Sequence, residues 1–528
     1  MKKILSLILC IVMLLTCALA FTSCDKDRND GDDGINYDID LSQKPELSIL
    51  MPNSGKSIDA VNNNVNAQLI EQLTGYKATY TQLPAADASK ILNTELMDRK
   101  EYHAMKLTKD QFSDLVTQDL LVDITNALAI FAPDLLANIS EESWEVVTVD
   151  GRIYGIPERA SSDNIENPII LNYDLLLELG LDMPETLDEF KNVLKEMTAH
   201  LGKPALTFDR YTPLVHAISS AFGIHSFWQE YEVNGKTEVL FYMNAPRYNE
   251  YVQYMNELYT LGYIDQEVPT LTAADATTRF VNGFTGNQGA KAGAFAGSLW
   301  SVSSIVTGLQ SNGVISTNEA SGTLEDYLGY VRSLKENASD PELVYRSSGY
   351  TYITAIPFYM AEDAGYALDW MNSKIKDTEE EDNFRQMVLG TEGVHWNYSA
   401  SQGYFPIDPA FQEKDDASYY MTGSNESKYT EYWKARVRKQ PELFRAWSEL
   451  MEDADEVGVY NIVDFTPPIE DYTENRQGME EYAQDQFFIM LKEGTGKMSE
   501  YLNKLNNLQG GEEATEAIND WYKNVYTK

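Results

Sequence analysis

Beyond residue 24 the chain has no cysteine. Its three thiols, Cys10, Cys17 and Cys24, sit at one end of 528 residues. An exported chain without internal cysteines avoids wrong disulfides, whereas a cytosolic enzyme rarely has all its thiols so placed. Histidine is also sparse. His103, His200, His216, His225 and His395 are scattered, and no HExxH, CxxC or His-x-His spacing occurs, so no metal-ligating motif is recognisable and no metal or cofactor is expected. There is no Gly-x-Ser-x-Gly elbow. "PNSGKSID" lacks the first glycine at Walker A spacing, so its "SGKS" reads as the loop into the first helix. Basic residues are outnumbered two to one: 41 Lys and Arg against 82 Asp and Glu give a formal charge of −41. Such acidity excludes nucleic acid and other polyanions as partners, because phosphate binding depends on clustered Lys and Arg. The many acids leave a carboxylate pair for glycoside hydrolysis open, although most are expected to be solvated surface charges.

What is present begins with Lys2, Lys3 and the apolar run "ILSLILCIVMLLTCALAF". A charged start, a hydrophobic centre and small residues near a cut describe an export signal. A run of about 18 residues is also long enough to span a bilayer, which keeps a transmembrane anchor as the alternative. "FTSC" resembles the bacterial lipobox, with Phe21 in place of the usual Leu. By that resemblance residues 1–23 are a signal peptide and Cys24 carries the lipid. "DKDRNDG" looks briefly like a calcium loop, but counting from Asp25 its glycine, Gly31, is at position seven instead of six. Residues 24–44 therefore read as an acidic, flexible tether. The protein is expected on the outer face of the cell membrane. No second apolar run approaches membrane-spanning length.

Removing residues 1–23, which hold two lysines and no acid, leaves 505 residues with a formal charge of −43. That length exceeds what one core usually serves, so two lobes are expected. Aromatics are abundant, with 33 Tyr, 19 Phe and 8 Trp. They serve packing first, but a carbohydrate cleft also needs rings that cover the apolar face of a sugar.

"PELSILMP" reads as a buried strand, and "KSIDAVNNNVNAQLIEQLTGYKATYTQL" as helix, stop at Gly75, and second strand. A helix at "DASKILNTELM", the strand "YHAMKL" and a helix from "KDQFSDLV" complete a β-α-β-α-β-α alternation. It predicts a doubly wound α/β lobe with a mostly parallel sheet and ligands at the strands' carboxyl ends, where "LTKD" lies. "TVDGRIYGIP" is a hairpin turning at Asp-Gly. Thr186 and Glu189 fit a capping box in "NPIILNYDLLLELGLDMPETLDEFKNVLKEM".

"DGRIYGIP", "NYDLLLELGLDMPETLDEF", "EYVQYMNELYTLGYIDQE", "GAKAGAFAGSLW", "TAIPFYMAEDAGYALDWMN", "LGTEGVHW" and "QGGEEATEAINDWYKNVY" follow one another in this order. Together they resemble the extracellular solute-binding proteins of ABC importers, family 1, the maltose-binding-like proteins, and especially their long lipoprotein forms linked to oligosaccharides. The resemblance implies a periplasmic-binding-protein-like fold of two α/β lobes, each a mostly parallel sheet flanked by helices. Chain crossings would lie near "ENPIILNYD", "VYRSSGYTYI" and "SASQGYFPI". Lobe 1 would take residues 45–167 and 349–403, and lobe 2 residues 168–348 and 404–528. It further implies a carbohydrate ligand, permease subunits as partners, no catalysis and a single copy as the working unit. A same-fold receptor for a peptide or metabolite, and a surface glycoside hydrolase, are the alternatives.

The resemblance singles out Trp300, which ends "AFAGSLW" and would stack on a sugar unless it is a core residue. It points next to Asp110 and Gln111 after the third strand; Asp110 also fits a helix N-cap. Leu107 stands where an aromatic can occur. Arg159 and Glu166 flank the first crossing and would reach the cleft or form a surface pair. Tyr350 and Tyr352 lie at the second crossing, where alternation places both on one strand face. Trp396 precedes the third crossing. Trp144, Trp370 and Trp521 look like helix-packing residues.

Overall fold

The computed structural model describes residues 33–159, 164–165, 167–286, 289–414 and 417–527. Two sheets organise them. The first has the order β2-β1-β3-β9-β4, built from β1 (Leu47–Met51), β2 (Ala78–Gln82), β3 (Ala104–Leu107), β4 (Ile156–Arg159) and β9 (Tyr350–Ala355). The second has the order β8-β5-β7-β6, from β5 (Ile169–Asn172), β6 (Leu206–Thr207), β7 (Ala294–Ala296) and β8 (Leu328–Val331). The predicted alternation is realised: β1 pairs in parallel with β2 and β3. The inner strands β1 and β3 are nearly or wholly buried, whereas edge strand β2 (Ala78–Gln82) buries only Tyr80. Every residue of Ala104–Leu107 is buried, Lys106 included.

Local signals work as their chemistry requires. Gly75 takes the left-handed conformation (φ 76°) that ends helix Val65–Thr74 and frees the chain to enter β2. Asp150 and Gly151 both adopt positive φ at the tip of the Thr148–Ile153 hairpin, as a two-residue turn of the I′ type demands. Thr186 and Glu189 close a capping box on helix Leu187–Leu201. Ser57, in "SGKS", caps the short helix Ile58–Asn62 through the amide of Ala60. Trp144, Trp370 and Trp521 are buried.

The segments between the sheets pair with one another. The Ser347 amide donates to the Asn164 carbonyl (2.9 Å), Ile165 bridges Arg346, and Val344–Tyr345 runs parallel to Gly458–Val459. Near residues 399–407, where the resemblance places a third crossing, the structure has an antiparallel hairpin, Trp396–Ser399 with Gly403–Pro406. The chain then stays on the first sheet: Asn66 donates to the Lys414 carbonyl, Tyr419 to that of Pro52 and Tyr420 to that of Val61. Helix Glu426–Val437 leads away, and helix Pro441–Leu450 docks on β8 through Arg445, which donates to the Leu328 carbonyl (2.7 Å).

Candidate functional site

Strand direction locates the site. The strand β9 is antiparallel to both β3 and β4, so β1, β2, β3 and β4 point the same way and end together at Met51, Gln82, Leu107 and Arg159, beside the start of β9 at Tyr350. In the second sheet, β5 is antiparallel to β7 and β8, and β6 is parallel to β7. Thr207, Ala296 and Val331 therefore end where β5 begins. The short segment from Arg159 to Ile169 joins these two edges, so the carboxyl ends of both sheets meet at the crossings, the position at which α/β sheets bind ligands.

On the first edge, Thr108 caps helix Lys109–Thr117 in a capping box with Gln111. Asp110, in the first turn, forms an ion pair at 2.6 Å with Arg476 of helix Glu470–Glu493. The Lys109 amine is buried and donates to the carbonyls of Val463 (2.7 Å) and Asp464 (2.8 Å). Burial draws its pKa down to about 8, against the attraction of Asp464 and Asp110. Burial likewise raises Asp464, and pushes Glu480 up to about 7 against the pull of Arg476. These groups surround a polar pocket of ≈ 230 Å³ lined in part by Asp110, Ser113, Tyr350, Asn461, Tyr472 and Arg476.

On the second edge, β7 runs into Gly297, where a Cβ would collide with the Phe295 ring at 2.3 Å. The tight turn that follows presents Trp300 at the start of helix Ser301–Ser311. Trp300 keeps 37% of its surface exposed, and its ring meets Trp433 edge-on at 5.7 Å. A solvent-facing indole with one edge fixed by packing is suited to receiving a flat apolar surface.

No protein-family model matches the chain. An uncharacterized protein in the butB 5′ region of Niallia circulans is 29% identical over 279 residues, 52% of this chain and 99% of that protein. Lipoprotein LipO of Bacillus subtilis (strain 168) is 22% identical over 417 residues, 74% of this chain and 75% of its own length. Among solved structures, the chain is similar to an HMO binding ABC-transporter associated solute binding protein of Bifidobacterium longum infantis ATCC 15697, with a TM-score of 0.64, 16% identity, and coverage of 92% and 99% of the two chains. The S. pneumoniae substrate binding protein FusA in complex with kestose gives 0.65, 16%, 91% and 99%. The N-glycan transport solute binding protein NgtS of Streptococcus pneumoniae gives 0.59, 14%, 91% and 98%. The fold is that of a two-lobed solute-binding protein.

Within that fold the predicted residues take different positions. Trp300 and Asp110 lie at the carboxyl edges, one on each sheet. Asp110 is not the N-cap; Thr108 holds that role, because its side chain reaches the Gln111 amide while Gln111 answers the Thr108 amide (3.1 Å). The Gln111 side chain is thereby 8% exposed and engaged in its own helix. Arg159 donates to the Ser348 carbonyl (3.1 Å), pairs with Glu142 (2.7 Å) and lies over the Tyr350 ring. Tyr350 bonds Ser143 through its hydroxyl at 3.0 Å and packs edge-on against Phe465. A bulge between Tyr350 and Tyr352 breaks the alternation expected of them, and Tyr352 instead lies under the Lys106 amine at 4.8 Å. Trp396 is buried, its indole N–H given to the Gly390 carbonyl (2.9 Å) and its ring against Tyr404. Leu107 is fully buried. Cys24 and Glu166 lie outside the described residues.

Sequence reasoning missed Lys109, Arg476 and Glu480. Lys109 adjoins Asp110 in the chain, but Arg476 reaches it from hundreds of residues away, and only the fold brings them together. The five histidines carry structural duties where they are buried: His103 accepts the Ser48 amide (3.0 Å), and His216 packs on Tyr345 with its pKa drawn down to about 3 by burial. Among the described residues no group of three or more His, Cys, Asp or Glu is placed to hold a metal ion.

The Glu480 carboxyl yields a pH prediction. Its folded pKa of about 7 stands above the unfolded ~4.3. The folded protein therefore binds the extra proton between these values, and stability is lost as pH rises through about 7. Glu480→Gln removes this dependence. Urea midpoints of wild type and variant are expected to diverge, in the variant's favour, as pH climbs through that window; parallel profiles would show that Glu480 is ionised throughout.

Proposed function

We propose that the protein is a lipid-anchored extracellular receptor of an ABC importer. It captures a neutral oligosaccharide between its lobes and delivers it to a permease. One observation carries the reading: an exposed indole, Trp300, stands at the carboxyl edge of one sheet, and the carboxyl edge of the other carries the Asp110–Arg476 pair. The neighbours in fold support it, since their names record HMO, kestose and N-glycan as ligands or cargo. The order of the motifs supports membership of the maltose-binding-like family 1. A neutral ligand suits the formal charge of −41, which repels acidic chains. The paired crossings at 164–165, 344–347 and 458–459 act as the hinge about which the lobes close. Trp300 stacks on a sugar face while Asp110, Arg476 and Tyr350 are positioned to bond hydroxyls, and no bond is made or broken.

A thermal-shift screen over neutral oligosaccharides, monosaccharides and peptides tests the ligand class. A true ligand at 100-fold its dissociation constant stabilises by about 2.7 kcal/mol. A shift with peptides and none with glycans would overturn the carbohydrate reading.

Anchoring rests on Cys24 and is supported by the likeness to lipoprotein LipO. Among the described residues no helix is long and apolar enough to cross a membrane. Cys24→Ala is expected to abolish palmitate labelling and move the protein from the membrane fraction to the medium. Unchanged membrane retention would contradict the lipid anchor.

A further inference from the structure

Behind Trp300 lies a second, larger groove of ≈ 960 Å³, at the upper end of the ~300–1,000 Å³ usual for small-molecule sites. One wall comes from helix Ser301–Ser311, through Ser303 and Thr307; the other comes from the hairpin region and helix Pro441–Leu450, through Gln402, Phe405, Gln440 and Phe444. Positions 300, 303 and 307 fall three and four residues apart and so share one helical stripe. The face that begins with Trp300 at the cleft thus continues into the groove.

The opposite side is continuous as well. From Trp300 the aromatic contacts pass to Trp433 (5.7 Å), then to Trp447 (6.2 Å), which stacks on Phe444 (5.7 Å, 18°). Of these rings Phe444 lines the groove, with Phe405; the hydroxyls and amides of Ser303, Thr307, Ser401, Gln402 and Gln440 lie beside them, and Asp408, Arg438 and Lys439 add charge to the lining. The side-chain oxygen of Gln440 is buried and accepts no hydrogen bond from the protein, an acceptor whose desolvation is uncompensated unless a donor arrives. Half-buried phenyl rings interspersed with hydroxyls, amides and a few charged groups match the apolar faces and hydroxyls of a glycan. Arg438 does not disturb it, since its guanidinium is occupied by the Tyr404 carbonyl (2.8 Å) and the Phe444 ring.

We infer that this groove is the distal part of the binding cleft, and that the ligand is a glycan chain long enough to pass Trp300 and enter it. The inference rests on the carbohydrate reading above and narrows it to longer oligosaccharides. The groove joins a helix following the second sheet to a hairpin following the first, so an occupying chain would be held from both lobes.

Calorimetric titration with a graded series of linear neutral oligosaccharides, from the disaccharide upward, tests it on wild type and on Thr307→Trp. Thr307 is exposed, so the bulkier residue fills the groove without entering the core. Wild-type affinity is expected to rise about tenfold or more along the series, as one further stacked ring would supply. Thr307→Trp should cancel the rise and leave disaccharide affinity unchanged. Phe444→Ala, which removes a ring without obstructing, should flatten the same dependence. Length-independent wild-type affinity, or a rise that survives both substitutions, would overturn the groove assignment and leave the carbohydrate reading intact. Failure of wild type to bind any member would overturn the carbohydrate reading itself.

Discussion

Trp300→Ala is expected to weaken glycan binding about thirtyfold, roughly 2 kcal/mol, because the lost ring forfeits both buried apolar area and directional stacking. Stability should change little. The side chain is substantially exposed, and its chief ring contact is one edge-to-face pair with Trp433. The pairing of effects is what makes the prediction specific. A tryptophan serving the core would, on truncation, cost ~3–5 kcal/mol of stability, and affinity would fall only with the folded fraction. Trp300→Phe retains a ring and should keep most of the affinity. Calorimetry with the best ligand, together with urea unfolding, separates the two roles. A thirtyfold loss without destabilisation places Trp300 on the ligand, and unaltered affinity removes it from the site.

Lys106→Met is expected to produce the largest loss of stability, about 3–5 kcal/mol, because it leaves a buried carboxylate without its partner. Lys106 on β3 and Glu158 on β4, the two strands that flank β9 in the first sheet, are paired at 2.7 Å, with 0% and 4% of their side chains exposed. Burial draws the lysine's pKa down and pushes the glutamate's up, each opposed by attraction to the other. The same amine donates to the carbonyls of Ser418 (2.7 Å), Tyr419 (3.2 Å) and Met421 (2.9 Å). Lys374 adds a bond to Tyr420 (3.1 Å) from above the Trp370 ring. Two lysines thus fasten the short helix Ala417–Tyr420 and the residue after it to the first sheet, where Tyr419 reaches Pro52. Methionine fills the space but donates nothing. Lys106→Met combined with Glu158→Leu removes both charges and should recover part of the loss, as replaced buried ion pairs commonly do. A single variant within ~1 kcal/mol of wild type in urea unfolding would show that solvent reaches the pair.

These two sites were unequally legible. Trp300 announced itself because a strand of small residues, "AFAGS", ends on a large ring, and its helix start follows directly. The parallel strands β1, β2 and β3 were legible for the same kind of reason: short apolar runs and a glycine at φ 76° are decided by neighbours in sequence, as is the Thr186–Glu189 capping box. Lys106 was read simply as part of the strand "YHAMKL", since nothing nearby reveals that three carbonyls from residues 418–421 converge on it. Arg476 was hidden similarly, on a long helix of mixed charge. Trp396 carries a cleft-like sequence context, yet the carbonyl of Gly390 and the ring of Tyr404 enclose it. Tyr350 and Tyr352 were expected to share a face, and a one-residue bulge separates their surroundings. Local chemistry was readable; long-range pairing of charges and the placement of irregular segments were not.

The central claim is capture of an intact neutral oligosaccharide. Its most direct measurement is isothermal titration with the glycan that gives the largest thermal shift, followed by chromatographic analysis of the recovered ligand. Saturable one-to-one binding, with the glycan recovered whole after prolonged incubation, is the predicted result. Cleaved products, or no heat with any neutral glycan, would contradict the account.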